Sequence, residues 1–213
     1  MKNFSEKKVL ILAPHPDDGE FGCGATIDKY VKAGAEVWYI AFSPCCKSIP
    51  QGFDRYALFH ELDAAADILG IPPKRVVKME FEVREFSTHR QEILEELILL
   101  RNKLRPDIVL LPNSYDVHQD HQVIHHEGVR AFKHSTLLGY DLPWNYTHAN
   151  LNFLSDVSKD NLNRKLQAIA AYKSQGFRPY ADEEFINGLA RVRGVQGGVP
   201  YAEGFEMIKM IEP

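Results

Sequence analysis

Two short segments of this 213-residue chain combine imidazole and carboxylate side chains at the spacing of a metal site. The first is HPDD, residues 15–18, which comes just after the apolar run VLILA. The second is YDVHQDH, residues 115–121, which comes just after the apolar run IVLLP. Because neighbouring carboxylates repel each other, Asp17 and Asp18 are expected to have a positive partner. A divalent metal ion would supply that charge.

The apolar runs place the two segments on the same edge of a sheet. If both runs are buried strands of a parallel sheet, both segments emerge at its carboxyl edge, where open α/β sheets bind ligands. Asp116, His118, Asp120 and His121 can then face HPDD. Two histidines and one carboxylate, with open positions, are typical of catalytic zinc and of non-haem iron. Taken singly, the aspartates could cap a helix and the histidines could be polar surface; their joint occurrence favours the metal.

Apolar runs alternate with helical patterns along the chain, which indicates a parallel α/β sheet in one domain spanning residues 1–213. Strands are predicted at 8–13, 36–43, 75–81, 107–111, 137–142 and 151–157. The first two helices are predicted to end near Gly34 and Gly70. The third is predicted to begin at a capping box of Thr88 and Gln91 and to end at 104. Three further helices are predicted at 122–133, 158–172 and 182–192. Segments 43–54 and 193–205 are predicted to be irregular.

Other motif residues are assigned structural roles. Gly22 and Gly24 do not form a dinucleotide fingerprint, because the third position is Ile27, and they are expected to permit close packing of a helix on a strand. Cys45 and Cys46 are expected to be inert. His125 lies one turn beyond His121 and is a candidate to support a ligand, whereas His126 is expected to be exposed. Segment 139–145, GYDLPWN, either shapes the acceptor side of the site or forms a core strand.

Composition excludes several classes of protein. A net charge of −4 and a sequence pI of about 6.1 argue against nucleic-acid and membrane-surface binding. The first apolar run is closed by Asp17 too soon for a signal peptide, and no stretch is long enough to span a membrane. Three cysteines without a CxxC spacing predict no disulfide framework and a reducing cytoplasm. A homo-oligomer is compatible with the sequence, which does not define the oligomeric state.

The motifs HPDDGEFGCGATI and HQDH, in this order, resemble the LmbE-like, or PIG-L, family of metal-dependent N-deacetylases. ELDAAADILGI, AYKSQ and RGVQGGVPYAEGF are each similar to a recurrent family segment, so the resemblance covers nearly the whole chain. It implies a Rossmann-like three-layer α/β/α sandwich with a mostly parallel sheet. It also implies hydrolysis of an N-acetyl group from an N-acetylglucosamine-type sugar or its conjugate, a small amino-sugar substrate.

The resemblance also implies a role for each motif residue. Zn²⁺, or else Fe²⁺ or another divalent metal, would be held by His15, Asp18 and His121. Asp17 would be the general base, His118 would stabilise the oxyanion as an imidazolium, and Asp120 would orient a histidine of its own motif. Arg55, Asp116, Gln175 and Tyr201 are candidate substrate contacts. Many members have glutamate directly after the paired aspartates, whereas this chain has Gly19 and then Glu20.

Two other functions use parts of the same site. A non-haem iron enzyme would share the two histidines and one carboxylate, but it has no use for an adjacent base such as Asp17. A non-catalytic sugar- or nucleotide-binding domain would need neither the metal nor the base.

Overall fold

The computed structural model describes residues 4–211, which contain a seven-stranded sheet in the order β3-β2-β1-β4-β5-β7-β6. The strands are β1 Lys8–Ala13, β2 Glu36–Ala41, β3 Val76–Lys78, β4 Ile108–Pro112, β5 Thr136–Tyr140, β6 Phe153–Asp156 and β7 Ala202–Lys209. Strands β1 to β5 pair in parallel, and β7 pairs antiparallel with both β5 and β6. The sheet is therefore mostly parallel, as the sequence predicts.

Helices cover both faces of the sheet. They are α1 Asp18–Lys32, α2 Ala57–Ile68, α3 Arg90–Leu104, α4 Gln119–Ala131, α5 Lys159–Ala170 and α6 Glu183–Gly197. Alternate residues of β1 point to opposite faces, so Val9 and Ile11 join one core with α1, α2 and α5, while Leu10 and Leu12 join the other with α3 and α4. This arrangement is the predicted three-layer α/β/α sandwich. No helix within residues 4–211 is long and apolar enough to cross a membrane.

The carboxyl-terminal part differs most from the sequence prediction. Helix α6 runs past the predicted end at residue 192, and α6 and β7 together occupy most of segment 193–205, which was predicted to be irregular. The glycines of this segment reflect close packing: a Cβ at Gly194 would lie 2.7 Å from the Pro200 carbonyl oxygen, and Gly198 ends α6 with φ of 69°. The sequence pattern was misleading because these glycines lie within a helix and at its end.

The predicted capping box is wrong. Helix α3 has His89 at its N-cap without a side-chain capping bond. The Thr88 hydroxyl instead donates to the Glu85 carbonyl at 2.7 Å, and Gln91 donates to Glu95 at 2.6 Å. A tight turn before the helix therefore takes the hydroxyl that the box requires. Helix α4 also begins at Gln119, three residues before the predicted 122, which brings His118 to its N-cap.

Candidate active site

The two polar segments meet where the sheet reverses its strand order. From β1 the chain proceeds to β2 and β3 on one side and then returns to β4, which pairs with β1 on the other side. The segments after β1 and β4 diverge at such a point and leave a crevice at the carboxyl edge of the sheet. His15, Asp17 and Asp18 follow β1, and His118 and His121 follow β4.

Three donor atoms in this crevice form a nearly equilateral triangle. Asp18 Oδ2 lies 3.2 Å from His15 Nδ1 and 3.2 Å from His121 Nε2. The two nitrogens are also 3.2 Å apart. Tetrahedral zinc with bonds of about 2.0–2.1 Å requires ligand atoms about 3.4 Å apart. The triangle therefore has the dimensions of one face of such a site.

Buried carboxylates orient both histidines of the triangle. His121 Nδ1 faces Asp116 Oδ2 at 2.7 Å, and His15 Nε2 faces Asp120 Oδ2 at 3.1 Å. Each carboxylate accepts the proton of the nitrogen that it faces, so that, once the second proton is displaced, the other nitrogen can offer its lone pair to a cation beside Asp18. Three electron-pair donors thus converge on one point. Their chemistry fits a divalent cation.

The electrostatics of the triangle also favour positive charge. Burial disfavours a charged imidazole, but the Asp18 carboxylate prevails and raises the pKa of His15 to about 9 and of His121 to about 10. Burial likewise disfavours the carboxylate of Asp18, and the two imidazoles nevertheless hold its pKa far below its ordinary value. Without a metal the site takes up protons, so a cation at this point would compete with those protons.

Asp17 lies beside the triangle and lines the cleft. It is the N-cap residue of α1, yet its side chain makes no capping hydrogen bond, so capping does not explain this carboxylate. Burial, with the charge of Asp18, raises its pKa to about 6. The result is a carboxylate that can both accept and release a proton near neutral pH.

His118 lies at the N-cap of α4, where its Nδ1 accepts a hydrogen bond from the Asp120 backbone N–H at 3.2 Å. Burial, together with the nearby imidazoles of His121 and His15, lowers its pKa to about 4. A neutral ring that accepts at Nδ1 carries its proton on Nε2. The hydrogen bond at Nδ1 and the lowered pKa thus favour a neutral imidazole with one N–H to donate over the imidazolium that the resemblance implies.

His118 is also close enough to be considered as a ligand. One nitrogen from each of His15, His118 and His121 lies within 4.8 Å of the others. The set that includes Asp18 is tighter, and its nitrogens are not engaged by the backbone. We therefore assign the Asp18 set as the donor triangle.

Two acidic residues have roles that differ from those expected. Asp120 was predicted to orient a histidine of its own motif, but its Oδ2 faces His15 and accepts from the Arg84 backbone N–H at 2.7 Å. Asp116 was a candidate substrate contact, but it is 2% exposed and binds His121 and the His118 backbone N–H. Sequence spacing did not reveal these pairings because they depend on how the segments fold against each other.

The other candidate substrate contacts are placed differently by the structure. Gln175 is buried in the wall of the cleft. Arg55 is exposed outside this wall and donates to Cys46 Sγ at 3.9 Å. Tyr201 also lies outside the wall, where its ring is 5.4 Å from Lys159 Nζ. The structure thus brings one of these three residues into the cleft.

The remaining motif residues have structural roles. A Cβ at Gly22 would lie 2.4 Å from the Tyr140 ring, which confirms that this glycine permits close packing of α1 on β5. His125 Nδ1 bonds the Pro112 carbonyl oxygen at 2.8 Å and supports the end of β4 rather than a ligand, and His126 is exposed as expected. Burial raises the pKa of the Cys45 thiol, which fits an unreactive cysteine.

The cleft above the triangle has a volume of about 300 Å³, and several of its wall residues were not predicted. Trp144 and Tyr180 stack with ring centroids 4.1 Å apart, and Phe21 packs edge-on against both. Asn145 donates to Asp116 at 3.1 Å. Trp144 and Asn145 belong to segment 139–145, which therefore shapes the site. The sequence did not indicate three other wall residues, because they lie far from both motifs along the chain: Arg84, Arg178 and Tyr180.

Comparison with known proteins identifies relatives of the whole chain. Residues 10–132 match the family model described as PIG-L, GlcNAc-PI de-N-acetylase. A diacetylchitobiose deacetylase from Thermococcus kodakarensis is 30% identical over 227 residues, covering 95% of this chain and 83% of that protein. A probable N-acetyl-alpha-D-glucosaminyl L-malate deacetylase 2 from Bacillus anthracis is 26% identical over 195 residues, covering 82% of this chain and 83% of that protein.

A solved structure of N,N'-diacetylchitobiose deacetylase from Pyrococcus horikoshii, in complex with its inhibitor MPG, has a TM-score of 0.79 and 25% identity to this chain. The similarity covers 97% of this chain and 85% of the other. The fold is therefore shared over almost the whole sequence. Since the family model spans more than half of the chain and the Thermococcus relative nearly all of it, the chain belongs to the PIG-L, or GlcNAc-PI de-N-acetylase, family.

Proposed function

We propose that this protein is a metal-dependent hydrolase that removes an N-acetyl group from an N-acetylglucosamine-type sugar or sugar conjugate. The observation that carries the proposal is a free carboxylate, Asp17, next to the donor triangle of His15, Asp18 and His121. Zn²⁺ suits two imidazoles and one carboxylate, and Fe²⁺ or another divalent metal is the alternative. When bound there, such an ion would supply Lewis acidity and lower the pKa of a coordinated water.

The residues of the chain account for the proton transfers that amide hydrolysis requires. Asp17 takes a proton from the attacking water and, once protonated, can return it to the departing amine. The Nε2–H of neutral His118 donates a hydrogen bond to the amide oxygen as negative charge develops on it. Asp116 and Asp120 keep the two ligand histidines in the required tautomers.

The competing functions leave one of these features unexplained. An iron oxygenase would use the donor triangle, but it gives no role to Asp17. A binding domain would use the cleft, but it gives no role to either the triangle or the base. The amidohydrolase reaction uses the triangle, the base and the hydrogen-bond donor together.

Acetate release tests the proposal directly. Protein loaded with zinc should release acetate from N-acetylglucosamine conjugates, chelation should abolish release, and added zinc should restore it. Asp67→Asn, at an exposed carboxylate on α2, is a matched control that should retain full activity. Undiminished acetate release from protein shown by elemental analysis to be metal-free would contradict the proposal.

A further inference from the structure

Two arginines in the wall of the cleft form no ion pair with any residue that the structure describes. Arg84 lies between β3 and α3, and Arg178 lies between α5 and α6. Within residues 4–211 neither guanidinium lies within ion-pair distance of a carboxylate; their polar partners are the neutral side chains of Ser48 and Gln175. Unpaired guanidinium groups in a cleft are a common means of binding carboxylate or phosphate.

The backbone holds Arg84 in an unfavourable conformation. Its φ is 70°, in the left-handed region that residues with a Cβ seldom adopt. The Arg84 backbone N–H donates to Asp120 Oδ2 at 2.7 Å, so the carboxylate that orients His15 also fixes this arginine. Strained backbone next to a catalytic site suggests that the position of the side chain matters for function.

The acids nearest to Arg84 in sequence pair with a lysine and not with the arginine. Lys47 Nζ lies 2.6 Å from Glu85 and 3.8 Å from Glu82. The guanidinium of Arg84 donates instead to the Ser48 hydroxyl at 3.0 Å, and Ser48 also lines the cleft. The charge of Arg84 is therefore available to a ligand.

Arg178 is anchored in a similar way. Its Nε donates to Gln175 Oε1 at 3.3 Å, and Gln175 is only 5% exposed. The guanidinium carbon lies 4.7 Å from the centroid of the Phe177 ring. A buried amide and an aromatic ring thus hold the side chain at the cleft. The Asp17 carboxylate of the same cleft feels its charge, but the two groups form no ion pair.

We propose that the substrate carries an anionic substituent, a phosphate or a carboxylate, that Arg84 and Arg178 bind while the donor triangle and Asp17 act on the N-acetyl group. This inference rests on the proposed function. A divalent cation would balance the carboxylates of Asp17 and Asp18, and neither guanidinium pairs with the carboxylates of Asp116 and Asp120, which face the two histidines. The stacked rings of Trp144 and Tyr180 offer an apolar face to the sugar.

Binding by a variant that does not turn over tests the inference separately from the reaction. Zinc-loaded Asp17→Asn protein is titrated with N-acetylglucosamine 1-phosphate, N-acetylglucosamine 6-phosphate and N-acetylmuramic acid, whose charges are phosphate or carboxylate, and with N-acetylglucosamine and N,N'-diacetylchitobiose as neutral sugars. At least one anionic sugar should bind about 10-fold more tightly than the neutral sugars, and added salt should reduce the difference. The tightest ligand identifies which anion the site takes.

Substitutions of the arginines assign the effect. In the same background Arg84→Ala and Arg178→Ala should each reduce affinity for the anionic sugar about 10-fold and leave affinity for neutral sugars unchanged, and lysine should restore part of the loss. Arg191→Ala, at an exposed arginine that donates to the Pro200 carbonyl, is the matched control and should bind normally. Equal affinity for charged and neutral sugars, no binding of any anionic sugar, or equal losses for both classes would overturn the inference.

Acetate release by the unsubstituted enzyme distinguishes the two failures. Release from neutral sugars without any preference for the anionic ones in binding would leave the hydrolase proposal intact and overturn the anion site. Arginine-dependent binding of an anionic sugar without acetate release from any sugar would support the anion site and contradict the hydrolase proposal.

Discussion

Asp17 and Asp18 are adjacent in the chain but have different surroundings. Asp18 accepts a hydrogen bond from the His15 backbone N–H at 2.7 Å and faces two imidazoles, whereas Asp17 faces the cleft. Asp17 is the N-cap residue of α1 and Asp18 is its first helical residue, and the two side chains have different neighbours. Neighbouring residues of the same type are thereby suited to two tasks, metal binding and proton transfer.

Asp17→Asn should separate these tasks. The amide keeps the size of the side chain but cannot take a proton from water, so kcat should fall about 10²- to 10⁴-fold while bound zinc is retained. Acetate release and elemental analysis of the same preparation measure both quantities. Asp18→Asn should show the opposite pattern and lose zinc. If Asp17→Asn lost the metal and Asp18→Asn kept it, the roles of the two residues would have to be exchanged.

His118 should act as a neutral hydrogen-bond donor, which makes its effect independent of pH. Because Asp17 must be deprotonated to act as the base, kcat/KM should rise with pH. Without metal the pKa of Asp17 is about 6, and a bound cation lowers it, so the metal-loaded enzyme should show this rise below pH 6. His118, with a pKa near 4, adds no alkaline limb. His118→Ala should therefore lower kcat/KM about 10²- to 10³-fold at every pH and keep its zinc.

His118→Gln supplies a matched control, since its amide restores an N–H donor and should recover part of the lost activity. The pH profiles of all three proteins decide the protonation state. An alkaline limb near pH 7 that disappears in His118→Ala would show that the imidazolium, and not the neutral ring, is the active form.

At the scale of elements, helix α1 is interrupted directly behind the site. Cys23 has the non-helical angles φ −152° and ψ 25°. The Glu203 carboxylate of β7 accepts hydrogen bonds from the Ala25 and Thr26 backbone N–H groups at 3.1 and 2.6 Å. Lys165 Nζ of α5 binds both Glu203 and the Phe21 carbonyl oxygen at 2.7 Å. One buried ion pair thus satisfies the free backbone groups on both sides of the break.

Loss of one partner of this ion pair should destabilise the fold more than replacement of both charges. Lys165→Met leaves the buried Glu203 carboxylate without its cation and should cost about 3–5 kcal/mol of unfolding free energy. The double variant Lys165→Met with Glu203→Gln should recover a substantial part of that loss. Urea unfolding measures both proteins. Lys47→Met, which removes an exposed ion pair, is the control and should leave stability nearly unchanged. A double variant less stable than Lys165→Met would contradict this account.

The sequence predicted those elements whose signal is local. Strands β1 and β4 are uninterrupted runs of apolar residues, and the short segments after them are rich in histidine and aspartate. The strands and the polar segments could therefore be identified from the sequence. Strand β7 was missed because Gly204 and Glu203 interrupt its apolar pattern. The buried Glu203 is stabilised by Lys165 of α5 and by the Thr26 backbone of α1, which lie 38 and 177 residues away in the sequence. Contacts this distant leave no local pattern around Glu203.

At the scale of the whole molecule, local and non-local signals separate the proposed metal ligands from the proposed substrate contacts. The proposed ligands come from two motifs that the parallel topology brings to one edge of the sheet, which could be inferred without coordinates. The wall of the cleft also includes loops after α5 and before α3, and their positions depend on the packing of complete layers. Arg178 and Tyr180 therefore became visible as site residues only in the folded chain.

Metal binding should be linked to the stability of the whole domain, with one zinc ion per chain. The donor triangle exists only when β1 and β4 are paired, so zinc binds the folded state and should raise the free energy of unfolding by about 2.7 kcal/mol at a free concentration 100 times its Kd. His121→Ala removes a ligand at the cleft and leaves both apolar cores intact, so the variant should fold. It should lose the bound metal and the zinc-dependent rise in Tm.

Gln122→Ala, at the exposed neighbouring position on α4, is the control and should keep both the bound metal and the rise in Tm. Elemental analysis and thermal unfolding with and without zinc measure these outcomes. Two tightly bound ions per chain, or an undiminished rise in Tm in His121→Ala, would show that the metal is held by another set of residues.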